Sequence, residues 1–462
     1  MKKTVEWGLV LIVAGSVLAF GGVQPPAYSA MEAALFLLTG VVLVRQSSVG
    51  KIDLPLPLWI LPFLCLVLLQ MIPLPGRIES WLSPHRLFPG LQAALAPGAP
   101  NWATLSLYPH DTLLGFFKLL AYLAAFVLAA YAFEPREGKN VLAPGLIVLG
   151  SLEAAYGIVQ YLTGYQKIFG FTKQFYTEDA TGTYINHNHF AGFLELVIPF
   201  AAMMVFFNLQ SRSDQAVSER RRPGGNSPLL DPRILFYTFI VILLLVAVVF
   251  SRSRMGIFSV LVSLILMALL GQLGGGRRAW MVITLFVIAC SMTYAIWIGL
   301  GPVISRFQAV TTVSSLERTD ARSAIWKQAS GIVRDYPVVG TGLGTFGVAF
   351  RRYQTSSLDL FVDHAHNDYL EVTTDTGIVG AVLLFIPVMG LLAKMIWAYV
   401  GARRAYRRSV LLACTGSTAA MLFHSIMDFN LQIPANALLF AVVLGMGFKA
   451  TYSTATSGRT TT

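Results

Sequence analysis

The sequence predicts an all-α integral membrane protein of about twelve transmembrane helices, with a large, partly helical outer loop between the ninth and tenth spans. Three observations carry this. Of 462 residues, 55% are hydrophobic and only 12% charged, with a mean hydropathy of +0.64; a soluble chain needs more charge to cover its surface. The apolar residues fall in runs near or above ~18 residues, the length that crosses a bilayer. The basic excess, a formal net charge of +11, collects in short loops between those runs, as membrane orientation requires. That placement accounts for the charge without nucleic acid as a partner. One polytopic domain over 1–462 follows, with a large outer loop at 301–375 and a smaller interfacial segment at 73–111.

The spans centre near Ala14, Leu38, Leu64, Tyr122, Ser151, Phe200, Leu243, Ser263, Phe286, Leu384, Thr418 and Ala441. Met1-Lys2-Lys3 before an apolar run resembles a signal peptide, and Ala27-Tyr28-Ser29-Ala30 offers small residues for cleavage. With so many later spans, an uncleaved first helix is the expectation. Cys65, Cys290 and Cys414 each lie inside an apolar run. They have neither metal-ligand nor disulfide spacing and read as small buried hydrophobes.

Orientation follows from the loops. Arg220-Arg221-Arg222, Gly276-Arg277-Arg278 and Arg403-Arg404-Ala405-Tyr406-Arg407-Arg408 all fall on one side, with Lys2, Lys3, Arg45 and Lys51. That side should be cytoplasmic, with both termini on it.

Two long segments face the other way. The first, 73–111, is rich in Pro, Gly and Trp; Trp81, Trp102 and Tyr108 suit headgroup level, as an interfacial cap. The second is 301–375. Within it, Glu317 to Tyr336 reads as an amphipathic helix, with Ile325, Ala329, Ile332 and Tyr336 at helical spacing and Pro337 ending it. Arg318 and Arg322 share that stripe. Gly340-Thr341-Gly342-Leu343-Gly344 lacks the Gly-Lys-Ser/Thr of a phosphate loop and reads as a tight turn.

The outer face gathers Asn186-His187-Asn188-His189, Arg252 and Arg254, Arg318 and Arg322, and Asp363-His364-Ala365-His366-Asn367-Asp368-Tyr369. His424 and Asp428, at i and i+4, approach the same face. Ionisable groups at a membrane boundary cost free energy and usually serve a purpose. Arginines there suit a lipid phosphate or diphosphate, and a histidine can accept a proton near neutral pH. Together they suit a transfer: histidine deprotonates an acceptor hydroxyl while arginines stabilise a departing lipid diphosphate. Plainer readings stand beside this one. Arg252 and Arg254 can snorkel from helix ends; Arg318 and Arg322 can be a solvated face; His187 and His189 can cap a helix. His424 with Asp428 can be a structural buried pair. A metal site joining His187, His189, His364 and His366 lacks any fixed spacing between its halves.

These stretches resemble the O-antigen ligase and polymerase superfamily of bacterial membrane glycosyltransferases, from about Ser151 to Phe440. Gly182-Thr183-Tyr184-Ile185-Asn186-His187-Asn188-His189-Phe190-Ala191-Gly192 and Ser251-Arg252-Ser253-Arg254-Met255-Gly256 carry the resemblance. So do Arg322-Ser323-Ala324-Ile325-Trp326, Pro337 to Gly342, His364 to Glu371 with Gly377, and His424 to Pro434. It is their order that is specific. The resemblance implies a metal-independent, cofactor-free transferase in the bacterial inner membrane, with its site periplasmic. It implies a polyprenyl-diphosphate-linked glycan as donor and lipid A-core, a growing glycan or a protein as acceptor. It implies His366 as general base, and Arg322 with Arg252 or Arg254 on the diphosphate. Arg318 is the weaker arginine of its helix; Asn186, His187, His189, His364, Asn367, Tyr369, His424 and Asp428 are supporting or acceptor-site candidates. The ligase label is favoured over polymerase or protein O-oligosaccharyltransferase. A lipid-linked glycan flippase or transporter needs polar groups at the membrane midplane, and a scaffold needs no basic and histidine cluster.

Overall fold

The computed structural model describes residues 1–50, 52–83, 102–135, 140–218, 231–272, 316–355 and 361–453. The expected span at Phe286, the basic turns Arg220–Arg222 and Gly276–Arg278, Lys51 and Cys290 lie outside the described residues.

The described chain is almost wholly helical. Its helices are α1 (Lys2–Leu18), α2 (Pro25–Ser48), α3 (Leu61–Met71), α4 (Gly76–Leu82), α5 (Pro109–Ala132), α6 (Leu142–Thr163), α7 (His187–Ser218), α8 (Pro232–Phe250), α9 (Arg254–Gln272), α10 (Leu316–Asp335), α11 (Phe346–Phe350), α12 (Asp368–Gly401), α13 (Ala405–His424) and α14 (Pro434–Tyr452). Among the described residues, eight helices are long and apolar enough to cross a membrane: α2, α5, α6, α7, α8, α9, α12 and α14. With that set the chain is a membrane protein. The remaining described span centres, Ala14, Leu64 and Thr418, also fall in helices, α1, α3 and α13, but outside those eight.

Proline at the first helical positions of α2, α3, α5, α8 and α14 starts each helix without losing a needed donor. α7 and α14 are the most enclosed, and α2 the least. The main core runs between α1, α5, α6, α7, α13 and α14. Small residues allow close approach: a Cβ on Gly445 of α14 would lie 2.3 Å from the Phe126 carbonyl of α5. Cys414 is buried, but Cys65, expected buried, is exposed on the outward face of α3.

The helix ends meet at two poles. At one pole, Thr183 Oγ1 donates to Val17 O at the end of α1 (2.8 Å), Gln160 Nε2 to Gly182 O (2.9 Å), and Ala180 N to Phe250 O (3.0 Å). The starts of α7, α9, α12 and α14 lie here with the end of α13. At the opposite pole, Val141 N donates to Glu6 Oε2 (2.6 Å) and Arg407 Nε to Ala450 O (2.8 Å). Lys2, Arg45, Arg233, Arg403, Arg404, Arg407 and Arg408 flank the helix termini of that opposite pole.

α12 is broken. Gly377 has φ +67° and ψ −179° inside it, and the segment after α10 is threaded into the break. Ile378 N donates to Pro337 O (2.8 Å), Thr341 N to Thr374 O (3.0 Å) and Gly342 N to Asp375 O (2.8 Å). Gln70 at the end of α3 closes the junction, with Nε2 on Val339 O (2.6 Å) and Asp375 O (2.9 Å). The glycine run expected as a tight turn is thus also the plug that satisfies the backbone groups a helix break exposes. Trp81, Trp102 and Tyr108 of the segment expected at the interface are exposed, and β1 (Leu74–Pro75) pairs antiparallel with β2 (Trp102–Ala103) there.

Candidate active site

α10 forms where the apolar spacing predicts it. Ile325, Ala329, Ile332 and Tyr336 are buried against Phe346, Phe350, Val362 and Ala365. This small core docks α10 on the histidine-bearing segment, and Trp326 Nε1 donates to Ala365 O at 2.9 Å. Arg322 is thereby carried to the start of α12. Arg318 lies in α10, but its side chain falls outside the described part of the structure.

The segment before α12 is shaped by its own side chains. Asn367 caps the helix, accepting from Leu370 N at 2.9 Å. Glu371, one turn in, accepts from Ala365 N (2.8 Å) and pairs with His364 Nδ1 (2.8 Å). His366 is left between these anchors with φ +50°, a left-handed conformation rare for residues with a side chain. Strain of this kind, ~1–3 kcal/mol, persists where surroundings impose it and clusters at functional sites.

The structure brings Asp428 to the centre. The turn after α13 is pinned to α12, because Asp368 N donates to Ser425 O (2.9 Å) and Asp428 O (3.2 Å). The Asp428 carboxylate is buried; its Oδ1 is 3.7 Å from His189 Nε2 and 3.9 Å from His366 Nδ1, and its Oδ2 is 3.7 Å from Arg322 Nη2. These are charge contacts, longer than hydrogen bonds. Burial pushes the Asp428 carboxyl up, but the facing His189 and His366 imidazoles and the nearby His424 outweigh burial and hold it well below the usual carboxylate range.

Phe429 completes the cluster. His364 stacks on its face at 4.3 Å, while His189 and His366 meet it edge-on at 4.6 and 4.8 Å. Burial alone would lower the His364 pKa, but the Glu371 carboxylate overcomes it and raises His364 to about 9. Tyr369 donates to Leu422 O at 2.7 Å and holds α12 against α13.

A second group forms beside it. His187 Nδ1 lies 2.6 Å from Ser251 O and 3.0 Å from Asp179 Oδ2, and its ring stacks on Tyr176. Arg252, at φ +56°, is 3.2 Å from Glu178 Oε2 and 3.4 Å from Asp179 Oδ1. Arg254, first residue of α9, is exposed and has no ion pair among the described residues. Asn186 Oδ1 accepts from Asn188 N at 2.9 Å, a local turn that opens α7.

The expected residues therefore divide. His189, Arg322, His364, His366 and Asp428 come together, whereas His187 and Arg252 are engaged by Glu178 and Asp179. The four-histidine metal arrangement is not formed, and among the described residues no group of three His, Cys, Asp or Glu side chains is placed to hold a metal ion. His424 does not hydrogen-bond Asp428 as a simple pair; its Nδ1 meets Glu195 Oε2 at 2.8 Å, with both side chains fully buried. Phe429, Glu195, Glu178, Asp179 and Gln70 were not singled out from sequence. Glu195 carried a usable signal, a carboxylate inside an apolar span.

His366 Nδ1 faces the Asp428 carboxylate at 3.9 Å, beyond hydrogen-bond length, and Nε2 is the ring's other nitrogen. No curated protein matches the chain. Residues 239–385 match the family model described as O-Antigen ligase. That stretch, which includes Arg254, Arg322 and His366, is similar to O-antigen ligases.

Proposed function

We propose that the protein is an O-antigen ligase-like glycosyltransferase. It moves a glycan from a polyprenyl-diphosphate carrier to an acceptor hydroxyl, with lipid A-core as the favoured acceptor, at the periplasmic face of the inner membrane. The observation that carries this is the convergence of His366, His189 and Arg322 on the buried Asp428 carboxylate. His366 Nε2 takes the acceptor's hydroxyl proton as the oxygen attacks the anomeric carbon. The bond from that carbon to the diphosphate oxygen breaks, and the lipid diphosphate leaves with the electron pair. Asp428 steadies the imidazolium as it forms. Arg322 and Arg254 receive the departing diphosphate. Of the two candidates at the start of α9, Arg254 suits this role better, because Arg252 is already held by Glu178 and Asp179.

The basic residues at the pole opposite the site support a cytoplasmic placement for that pole, and hence a periplasmic site and cytoplasmic termini. Polymerase and protein O-oligosaccharyltransferase readings use the same chemistry and differ only in acceptor. Polar groups gathered at one pole, rather than at mid-depth, favour transfer over transport.

The test is His366→Ala. The variant accumulates at the wild-type level and transfers no glycan in a purified assay with lipid-diphosphate donor. Normal transfer would remove His366 as the base. In a deletion strain, long unattached lipid-linked chains identify a ligase, and single repeat units a polymerase.

A further inference from the structure

Glu195 lies about two turns into α7, a span that is otherwise apolar. Its carboxylate and the His424 imidazole are each fully excluded from solvent and meet at 2.8 Å. An ionisable pair inside a bundle is a costly way to join two helices; well-packed apolar side chains usually do so as well or better. α7 and α13 are already joined by Ser417 Oγ donating to Leu196 O at 2.7 Å, beside extensive apolar contact.

Two features direct the pair toward the site. His424 and Asp428 are four residues apart across one turn, closed by Met427 N donating to His424 O at 3.0 Å, and the two side chains are charge-coupled. Each member also keeps one buried polar atom with no hydrogen-bond partner among the described residues, Glu195 Oε1 and His424 Nε2. Asp428 Oδ2, His189 Nε2 and His366 Nδ1 share that condition. The unpartnered atoms thus run from the base at the pole down to Glu195.

We propose that Glu195 and His424 are a positioning pair for the transfer reaction. Glu195 fixes the ring and tautomer of His424 through Nδ1, and His424 acts on the Asp428 carboxylate, and so on His366, by its charge. Neither touches substrate. This rests on the proposed transferase function and deepens it. The groups facing Asp428 are His189 from α7, Arg322 from α10, His366 before α12 and His424 from α13, with the Glu195 and Asp368 carboxylates also within electrostatic reach. Asp368 of α12 and Glu195 of α7 face His424. A change at Glu195 should therefore reach the base through Asp428, directly by charge or by way of His424.

The experiment compares the full-length wild type, Glu195→Gln, Glu195→Asp and the apolar double variant Glu195→Leu/His424→Phe. Purified proteins are assayed with lipid-diphosphate donor across pH, beside thermal melting. The expected result for Glu195→Gln is a kcat lowered by about tenfold or more, an unchanged donor KM, a displaced pH profile and partial rescue by Glu195→Asp. The double variant melts at or above the wild-type temperature yet stays slow. A stable double variant with wild-type kcat and pH profile would overturn the proposal, leaving the pair a helix contact. Failure of all three variants to accumulate would do the same by assigning the pair to folding. A wild type that transfers no glycan, or a fully active His366→Ala, would instead refute the transferase reading itself.

Discussion

Replacing Asp428 with Asn removes the charge on which His366, His189 and Arg322 converge while keeping the side chain's size. In the proposed reaction, the proton taken by His366 creates an imidazolium 3.9 Å from Asp428 Oδ1. At an effective dielectric of 20, a unit pair at that distance attracts by about 4 kcal/mol. His366 is 31% exposed and Asp428 only 1%, so solvent screening lowers the attraction, to ~2 kcal/mol if half survives. With about 1.36 kcal/mol per tenfold in rate, these bounds give a loss of kcat between roughly 30- and 1,000-fold. Donor KM should not rise, because Arg322 loses its 3.7 Å competitor for phosphate oxygens. The assay is single-turnover transfer from purified lipid-diphosphate donor, with melting temperature measured alongside. A kcat within threefold of wild type, or a defect confined to donor KM, would refute the orienting role of Asp428.

Arg254→Ala is expected to raise donor KM at least tenfold with little change in melting temperature. Arg252→Ala, which loses only an exposed bridge to Glu178 and a contact with Asp179, should cost about 1 kcal/mol of stability or less and leave KM within threefold; the reverse pattern would exchange their roles. His364, raised to about 9 by Glu371, contributes stability that is fully present below its unfolded pKa of ~6.5 and is lost as pH rises through about 9. Melting temperature should accordingly fall between pH 7 and 10 in the wild type and fall less in His364→Gln, with equal slopes counting against the pair. At Gly377, φ is +67° and a Cβ would sit 2.1 Å from Val338 O. Gly377→Ala should therefore not accumulate in membranes, and a stable, active variant would show that the threaded junction is dispensable.

Period and length made the helices legible. Long apolar runs announce spans wherever they lie, and the stripe Ile325, Ala329, Ile332 and Tyr336 announces α10 because a buried helical face needs that spacing. The chemistry at the ends of those helices was legible by type: His366, Arg322 and Asp428 stood out as polar groups beside apolar runs. Their gathering on one face was expected, but the contacts within the group were not legible. Asp428 reaches His366 only because Asp368 pins the turn after α13 to α12, a contact between segments that no local pattern links. Phe429 looked like any phenylalanine in an apolar chain, although its ring packs against three histidines. The division between Arg252 and Arg254 depended on Glu178, 74 residues upstream of Arg252, and on its neighbour Asp179. The break in α12 falls where the polar stretch 373–376 meets the apolar run from Ile378, and one glycine suffices because another segment supplies its hydrogen bonds.

That junction has a consequence for engineering and for descent. The segment bearing Arg322 and His366 is mortised into the bundle at Gly377, with Gln70 as the peg through Val339 and Asp375. It cannot be exchanged between relatives as a free cassette. A graft of that segment into a relative without a counterpart of Gln70 deprives the Val339 carbonyl and the Leu343 N–H of this partner. Changes in acceptor preference should therefore arise by altering the surfaces around this joint, while residues 70, 337–344 and 374–378 travel as one inherited unit.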